Sequence, residues 1–493
     1  MRRVWLAFGA TLAVALPAAA TTTAAAAALA APAPRIASPG AQPPAAGPVV
    51  GQGGNVAGGT RLWLARFGSP PNSVGYAQSA AASPDGSQVF ITGSGAGSAA
   101  VAYAAGTGAQ HWSAPAGLSN GGFLAVSPDG SRVFITGTSP DASGFLRMTT
   151  RAFNAATGAI LWTAFYRSPG AASADAHALA VSPDGSRVFV TGSSEDSGLT
   201  SRYTTVAYDA ATGSRRWAAA YSVQHQSARA VAIAVSPQGT RVFVTGGSLG
   251  PPNGHYAFAT VSYAAATGAT QWVARYAATP RRNAAAVSVA VSPDGATVYV
   301  AGTAHVISGQ TSPQIITAVA YSAATGTQRW TARYPGSGNP QAVGESAQAM
   351  ALSPDGSGVF VTSQGNTHGK TDYTTVAFEA ATGAQRWASQ DPLNGFGRPA
   401  GIAVNPGGTE VFVIGNTFAG GASSGDSAYA TVAYDAATGA EHWKRIYPGP
   451  VPGSSVATGV AVAPDGTRVF VTGGATGPDH QTEINYVTLA YAP

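Results

Sequence analysis

The sequence predicts an all-β fold: a single eight-bladed β-propeller with four antiparallel strands per blade, closed by pairing of an N-terminal strand with the C-terminal blade. Three observations carry this reading. The landmark S-P-D-G recurs, with drift, at Ser83, Ser127, Ser182, Ser236, Ser292, Ser353, Asn405 and Ala463, at spacings of 44 to 61 residues. That period belongs to propeller blades rather than to helical repeats. A second landmark, T-G-x-x-x-W, places tryptophans at Trp112, Trp162, Trp217, Trp272, Trp330, Trp387 and Trp443, and GTRLW adds Trp63. Finally, the chain opens on an orphan fourth strand (Trp63 to Phe67) and ends on an orphan third strand (Tyr486 to Tyr491), so the two ends complete one sheet and leave no edge at the seam.

Each cassette reads as four short strands. Around Ser182 these are HALAV (His177 to Val181), RVFVT (Arg187 to Thr191), YTTVAY (Tyr203 to Tyr208) and Arg216 to Tyr221. Ser182-Pro183-Asp184-Gly185 makes the first turn, with proline setting φ and glycine supplying the positive φ. Asp209 to Gly213 makes the other, and its opening Asp, Asn or Ser can bond forward to the turn backbone. The second strand is rich in β-branched and aromatic residues. Two residues before every S-P-D-G stands alanine, from Ala81 to Ala461, while its neighbours are mostly large and apolar. That small–large alternation predicts an innermost strand buried on both faces, one against a close neighbouring sheet.

Bulk composition narrows the function classes. The chain has 493 residues, 10% charged, 45% hydrophobic, and a formal net charge of +5 that includes Arg2 and Arg3. Basic residues are not clustered with aromatics, which argues against nucleic-acid binding. The absence of cysteine excludes disulfides, thiolate nucleophiles, Cys-based zinc sites and haem attachment. Residues 1–20 read as a signal peptide: Arg2-Arg3, an apolar core from Val4 to Leu16, and an A-x-A-like site at Ala18 to Ala20. Residues 21–58 are an Ala/Pro-rich leader with no core-forming residues, and 59–493 are the propeller. The expectation is a secreted or cell-surface monomer whose mature chain has no membrane span.

VAYDAATGSRRW (Val206 to Trp217) and VAYDAATGAEHW (Val432 to Trp443) resemble the tryptophan-docking motif of the pyrroloquinoline-quinone-type propellers. The longer alternation through AVSPDGSRVFVTG also resembles the secreted bacterial β-propeller repeat, and the two resemblances together span residues 59–493. They imply that each of the eight tryptophans stacks on a neighbouring blade and ties the ring together. Quinoprotein dehydrogenases of the first family are eight-bladed and typically carry an adjacent cysteine pair, a calcium site of Glu, Asn and Asp, and often a haem domain. This chain has no cysteine, no haem motif and no compact acidic cluster in its sequence, so no cofactor and no metal are expected.

In such a blade the S-P-D-G and A-T-G turns share one rim and the variable loops share the other. The variable loops are Glu195 to Arg202, Ser248 to His255, His305 to Pro313, Gln364 to Asp372, Asn416 to Ser427 and Thr476 to Asn485. Variable loops on one face of a rigid ring are a common seat of recognition. Five and seven positions before S-P-D-G, the sequence places Asp175, His177, Arg229, Gln348 and Arg398, with Tyr76, Gln78, Asn120 and Ser346, at the channel mouth. These are either solvated strand ends or contacts for a small anionic or sugar-like ligand. The eight histidines show no metal-ligand spacing, and no nucleophile elbow, phosphate loop or carboxylate pair can be picked out. The sequence therefore favours an exported, non-catalytic binding or scaffold module for a protein, glycan or small ligand. The alternative is an exported enzyme at the channel mouth, either a quinoprotein oxidoreductase or a lyase or hydrolase.

Overall fold

A computed structural model describes residues 56–68, 75–95, 98–198, 200–223, 226–250, 254–277, 283–306, 313–336, 344–367, 370–393, 395–418, 426–451, 453–476 and 484–493. Residues 1–55, where a signal peptide and leader are expected, lie outside the described residues, as do His225, His368, His480 and parts of all six variable loops. The described strands form eight four-stranded antiparallel sheets. Seven are simple meanders: blade 1 (75–115), blade 2 (120–166), blade 3 (173–221), blade 4 (228–276), blade 5 (284–334), blade 6 (346–391) and blade 7 (397–447). Blade 8 joins three strands of residues 455–491 to Arg61–Phe67. First strands pack on first strands around the circle, and that of blade 8 packs on that of blade 1. No helix among the described residues is long and apolar enough to cross a membrane.

The repeated turns are held by their own side chains. In blade 1 the Ser83 hydroxyl donates to Asp85 Oδ1 (2.5 Å) and accepts the Gln88 amide (2.9 Å). The Gly86 amide reaches Ser83 O at φ +72°. The Ser83 hydroxyl and the Ser87 amide hold the Asp85 carboxyl below its ordinary range. These turns also pack on one another. A Cβ on Gly130 would sit 3.5 Å from Pro84, one on Gly185 3.5 Å from Pro128, and one on Gly86 3.7 Å from Pro464 across the seam.

A second contact ties the blades near their outer edge. Each indole lies between an aromatic ring of its own second strand and one of the next blade's third strand in most blades: Trp217 has Phe189 at 5.8 Å and Tyr263 at 6.1 Å. Its Nε1 donates 2.9 Å to Ala265 O, inside the next blade's A-A-T-G turn. Trp63, Trp112, Trp162, Trp272, Trp330 and Trp387 repeat the bond to Ala105, Ala155, Ala210, Ala323, Ala380 and Ala436. The turn glycine lies flat on the indole, and a Cβ on Gly268 would fall 2.6 Å from Trp217. Glycine is therefore required there twice, by that contact and by its φ of +74°.

The seam reproduces the same parts without a covalent turn. Arg61–Phe67 pairs with Ile484–Tyr491 in the register Leu64↔Leu489 and Phe67↔Tyr486. The Gly59 amide donates to Ala492 O and the Ala492 amide to Thr60 O, both 2.9 Å, as Gly439 and Asp435 do within the blade 7 turn (2.8 Å each). Trp443 keeps its ring contacts with Phe412 and Tyr491, yet its Nε1 makes no hydrogen bond within the described residues.

Two features depart from the sequence reading. Second strands run beyond the predicted stretch: Arg187–Glu195 rather than Arg187 to Thr191. Every first strand also carries a register shift five or six positions before its turn, as between Ala176 and Ala178, so His177 has no cross-strand Cα partner. Third and fourth strands shift again just before the tryptophan, as between Ala207 and Tyr208. Such bulges bend and twist a strand, which suits it to a ring. The alanines two residues before each first turn are all buried, and the residues one position earlier, large in every blade but the first, are buried against the preceding blade.

Losing the Trp217 ring should cost about 3–5 kcal/mol, the range for large core truncations. Trp217→Ala is therefore expected to lower the urea midpoint markedly. Trp217→Phe, which keeps a ring and forfeits one hydrogen bond of about 1 kcal/mol, should fall between. Equal midpoints for all three chains would refute the packing role.

Candidate functional site

The strand order fixes which residues reach which rim. S-P-D-G and A-T-G turns of all blades lie on one side, and the loops between second and third strands lie on the other with the inter-blade connections. First strands line the axis, so the five candidate residues fall on the inner strands of blades 3, 4, 6 and 7 toward the variable rim.

The structure brings Asp175, His177 and Arg229 into one neighbourhood at the junction of blades 2 to 4. The His177 ring faces Ala230 O with Nδ1 at 2.7 Å, and its Nε2 lies 3.1 Å from the Arg229 guanidinium. A guanidinium only donates, so Nε2 accepts, Nδ1 carries the proton and donates, and the ring is neutral. Burial and the Arg229 charge, opposed by the Ala230 carbonyl, depress its pKa to about 4. Thr458 occupies the same cassette position in blade 8 and donates 2.6 Å to Ala77 O. His177 thus fills the place of an inter-blade tie. Asp175 accepts a 3.1 Å bond from Thr138 of blade 2. Gln348 turns back on Ser346, donating to its carbonyl (3.2 Å) and hydroxyl (3.3 Å). Gln348 and Arg398 sit apart from these three, on the first strands of blades 6 and 7.

A second polar site was not apparent in the sequence, where no carboxylate pair stood out. Glu345 and Asp372, each about 3% exposed, are gathered at the variable rim of blade 6. The Thr374 hydroxyl lies 3.2 Å from Glu345 Oε1 and 3.1 Å from Asp372 Oδ1, and the Ser363 hydroxyl donates to Glu345 Oε2. Gly365 makes room, since a Cβ there would lie 2.2 Å from Asp372 Oδ1. Burial pushes the Glu345 carboxyl up to about 7; the Ser363 hydroxyl opposes this, the Asp372 charge adds to it, and Thr374 opposes. Tyr334, buried beside both acids, is pushed up to about 12. The signal in the sequence was positional: eight residues before the first turn, the other cassettes carry only Gly, Ala or Ser, as at Gly75, Ala174 and Ser455.

A third buried acid, Asp391, lies at the end of blade 6, where most blades have tyrosine. Lys444 Nζ of blade 7 approaches its Oδ2 to 2.6 Å, and its Oδ1 accepts the Leu393 amide at 2.9 Å. No group of three or more His, Asp or Glu among the described residues is placed to hold a metal ion. With no cysteine in the chain and no group of three carboxylates among the described residues, the residues present do not fit a quinone–calcium centre with its cysteine pair.

The family model described as "Outer membrane protein assembly factor BamB" matches residues 50–300, 147–405 and 257–445. Among solved structures, BamB from Moraxella catarrhalis is 15% identical, with a TM-score of 0.52, covering 88% of this chain and 99% of that one. Quinohemoprotein alcohol dehydrogenase ADHIIG from Pseudomonas putida HK5 is 13% identical (TM-score 0.51; 82% of this chain, 72% of that one). The quinohemoprotein alcohol dehydrogenase from Comamonas testosteroni is 14% identical (TM-score 0.52; 87% and 76%). At these identities the likeness concerns the fold. No curated protein sequence matches the chain.

Glu345 supplies a pH test with a definite sign. Its carboxyl titrates near 7 when folded and near 4.5 when unfolded. Its contribution is therefore full below pH 4.5 and is lost as pH rises through 7, a change of roughly 3 kcal/mol. Glu345→Gln should gain melting temperature relative to the parent as pH rises from 4.5 to 7.5. A gap that stays constant with pH would refute the assignment. His177 acts in the opposite sense: its contribution is present above pH 6.5 and is lost as pH falls through 4.

Proposed function

The chain belongs to the family described as outer membrane protein assembly factor BamB, and on that premise we propose that it is an exported, non-catalytic binding and scaffold protein acting through its variable rim. The observation that carries this reading is the contrast between the two rims. One is eight near-copies of a self-bonded turn, each packed on the last; the other bears loops of unlike length and composition on the same rigid frame. Recognition needs diversity on a fixed support. The family description names an assembly factor, a role exercised on other proteins, which supports a protein partner over a glycan or a small molecule. The signal-like residues 1–20 support a destination outside the cytoplasm.

Within this reading Asp175, Arg229, Gln348 and Arg398 are proposed contacts for a ligand entering the channel mouth. His177 is proposed to support them, because both of its ring nitrogens are already engaged by Ala230 and Arg229. The enzymatic alternative draws on the two dehydrogenase folds alone. Calorimetry with pyrroloquinoline quinone and Ca²⁺ tests it: the binding reading expects no heat of association, and tight stoichiometric binding would replace that reading.

Photo-crosslinking amino acids at Ser197 and Lys370, on the variable rim, should trap a partner in the native cell envelope. The same groups at Asp85 and Asp184, on the opposite rim, should trap none. Adducts from the second pair alone would reverse the assignment of the recognition side.

A further inference from the structure

In a propeller every fourth strand is a sheet edge, with one row of backbone N–H and C=O groups unpaired. Soluble proteins protect such edges with charge, proline or short length. Seven blades of this ring place at least one polar or charged residue at the two positions before the tryptophan. They carry Arg61-Leu62, Gln110-His111, Arg215-Arg216, Thr270-Gln271, Gln328-Arg329, Gln385-Arg386 and Glu441-His442. Blade 2 instead carries Ile160-Leu161, and three positions beyond its tryptophan it adds Phe165.

These side chains are not buried by the fold. Ile160, Leu161 and Phe165 are 48%, 46% and 47% exposed. Of nine large hydrophobic residues exposed among the described residues, five lie on blade 2, the others there being Phe145 and Leu146. An apolar cluster of this kind on one blade of eight marks an interaction surface. On strand Ile160–Tyr166, Leu161 is the residue left without a cross-strand Cα partner at the register shift before Trp162, and Phe165 pairs with Thr149. The neighbouring third strand, Leu146–Asn154, lays Arg147 over the Phe165 ring at 3.6 Å and holds Arg151 opposite Thr163. No described carboxylate pairs with either guanidinium, although Arg151 Nη1 donates 3.0 Å to Pro115 O of blade 1; Arg167, by contrast, has Asp141 at 3.4 Å. The surface therefore combines an unpaired strand edge, exposed apolar side chains along that edge, and two cations without a carboxylate partner among the described residues.

We propose that the outer edge of blade 2 docks an extended, acidic segment of a partner protein, which adds as a fifth strand along Ile160–Tyr166. Its apolar side chains cover Leu161 and Phe165, and its carboxylates meet Arg147 and Arg151. Main-chain pairing supplies affinity, and alternate side chains supply selection. This rests on the binding-protein reading but places a second contact away from the variable rim. The rim crosslinks and the edge experiment can therefore fail independently.

The probe is a capped, fluorescent seven-residue peptide with valine at alternate positions and glutamate at both ends. Fluorescence anisotropy should show saturable binding to the full chain. Phe165→Gln and Leu161→Gln, exposed positions whose variants should melt with the parent, are each expected to weaken binding tenfold or more. Against the unaltered chain, lysine ends should cost a similar factor, and a central proline, which removes a pairing N–H, should abolish binding. Absence of binding, or affinity indifferent to the variants and to the peptide's charge, would overturn the proposal. Light scattering that shows a dimer dissociated by Phe165→Gln would overturn it as well, assigning the edge to a second copy of the chain.

Discussion

The architecture depends on one contact repeated around the circle: an indole that lies on the next blade's turn glycine and, in seven of eight instances, donates its N–H to a carbonyl in that turn. Sheets that meet only through small side chains near an axis would slide and splay toward the rim. The indole supplies large apolar area where the blades diverge, and its single polar group sets the angle at which they meet. Alanine near the axis and tryptophan near the rim are thus two halves of one wedge. Closure follows because the last turn is assembled from both ends of the ring, with Gly59 donating to Ala492 and Ala492 donating to Thr60 as residues of a covalent turn would.

Function follows from what this wedge leaves unconstrained. The rim bearing the self-bonded turns is occupied by contacts between proline and glycine of adjacent blades. The opposite rim has no such duty, so it tolerates insertions and buried charge. Glu345 and Asp372 sit there under Thr374 and Ser363, and Lys444 crosses from blade 7 to Asp391 of blade 6. Buried acids like these cost stability at neutral pH, and they occur where the repeat is least regular. The exposed edge of blade 2 is another local departure from a rule that the remaining blades obey.

The ring was legible because it is written in local chemistry. Proline, Asp-Gly and T-G-x-x-x-W each act within a few residues, and a fixed period repeats them. The orphan strands at the two ends announced the seam for the same reason. The bulge at His177 was not legible, since the burial alternation of Ser173–Val181 continues through it while only the pairing shifts. Its two ring contacts could not be foreseen either, because both partners belong to the next blade. Glu345 and Asp372 are far apart in the chain and meet only after blade 6 has folded, although a glutamate where other cassettes have a small residue was a visible irregularity. Strand lengths were underestimated on the variable side because residues there lack the β-branched signature yet still pair, as Ser193 does with Tyr203.

The absence of native cysteine allows a direct test of closure. Leu64 and Leu489 are cross-strand partners at the seam, whereas Val319 lies on blade 5. A chain carrying Leu64→Cys and Leu489→Cys, oxidised under native conditions and digested, should yield the peptide joining both positions in high proportion. The pair Leu64→Cys with Val319→Cys should yield almost none within a monomer. Failure of the first pair to join while the protein remains folded and monomeric would mean that the ends do not share a sheet, and the closed ring would have to be abandoned.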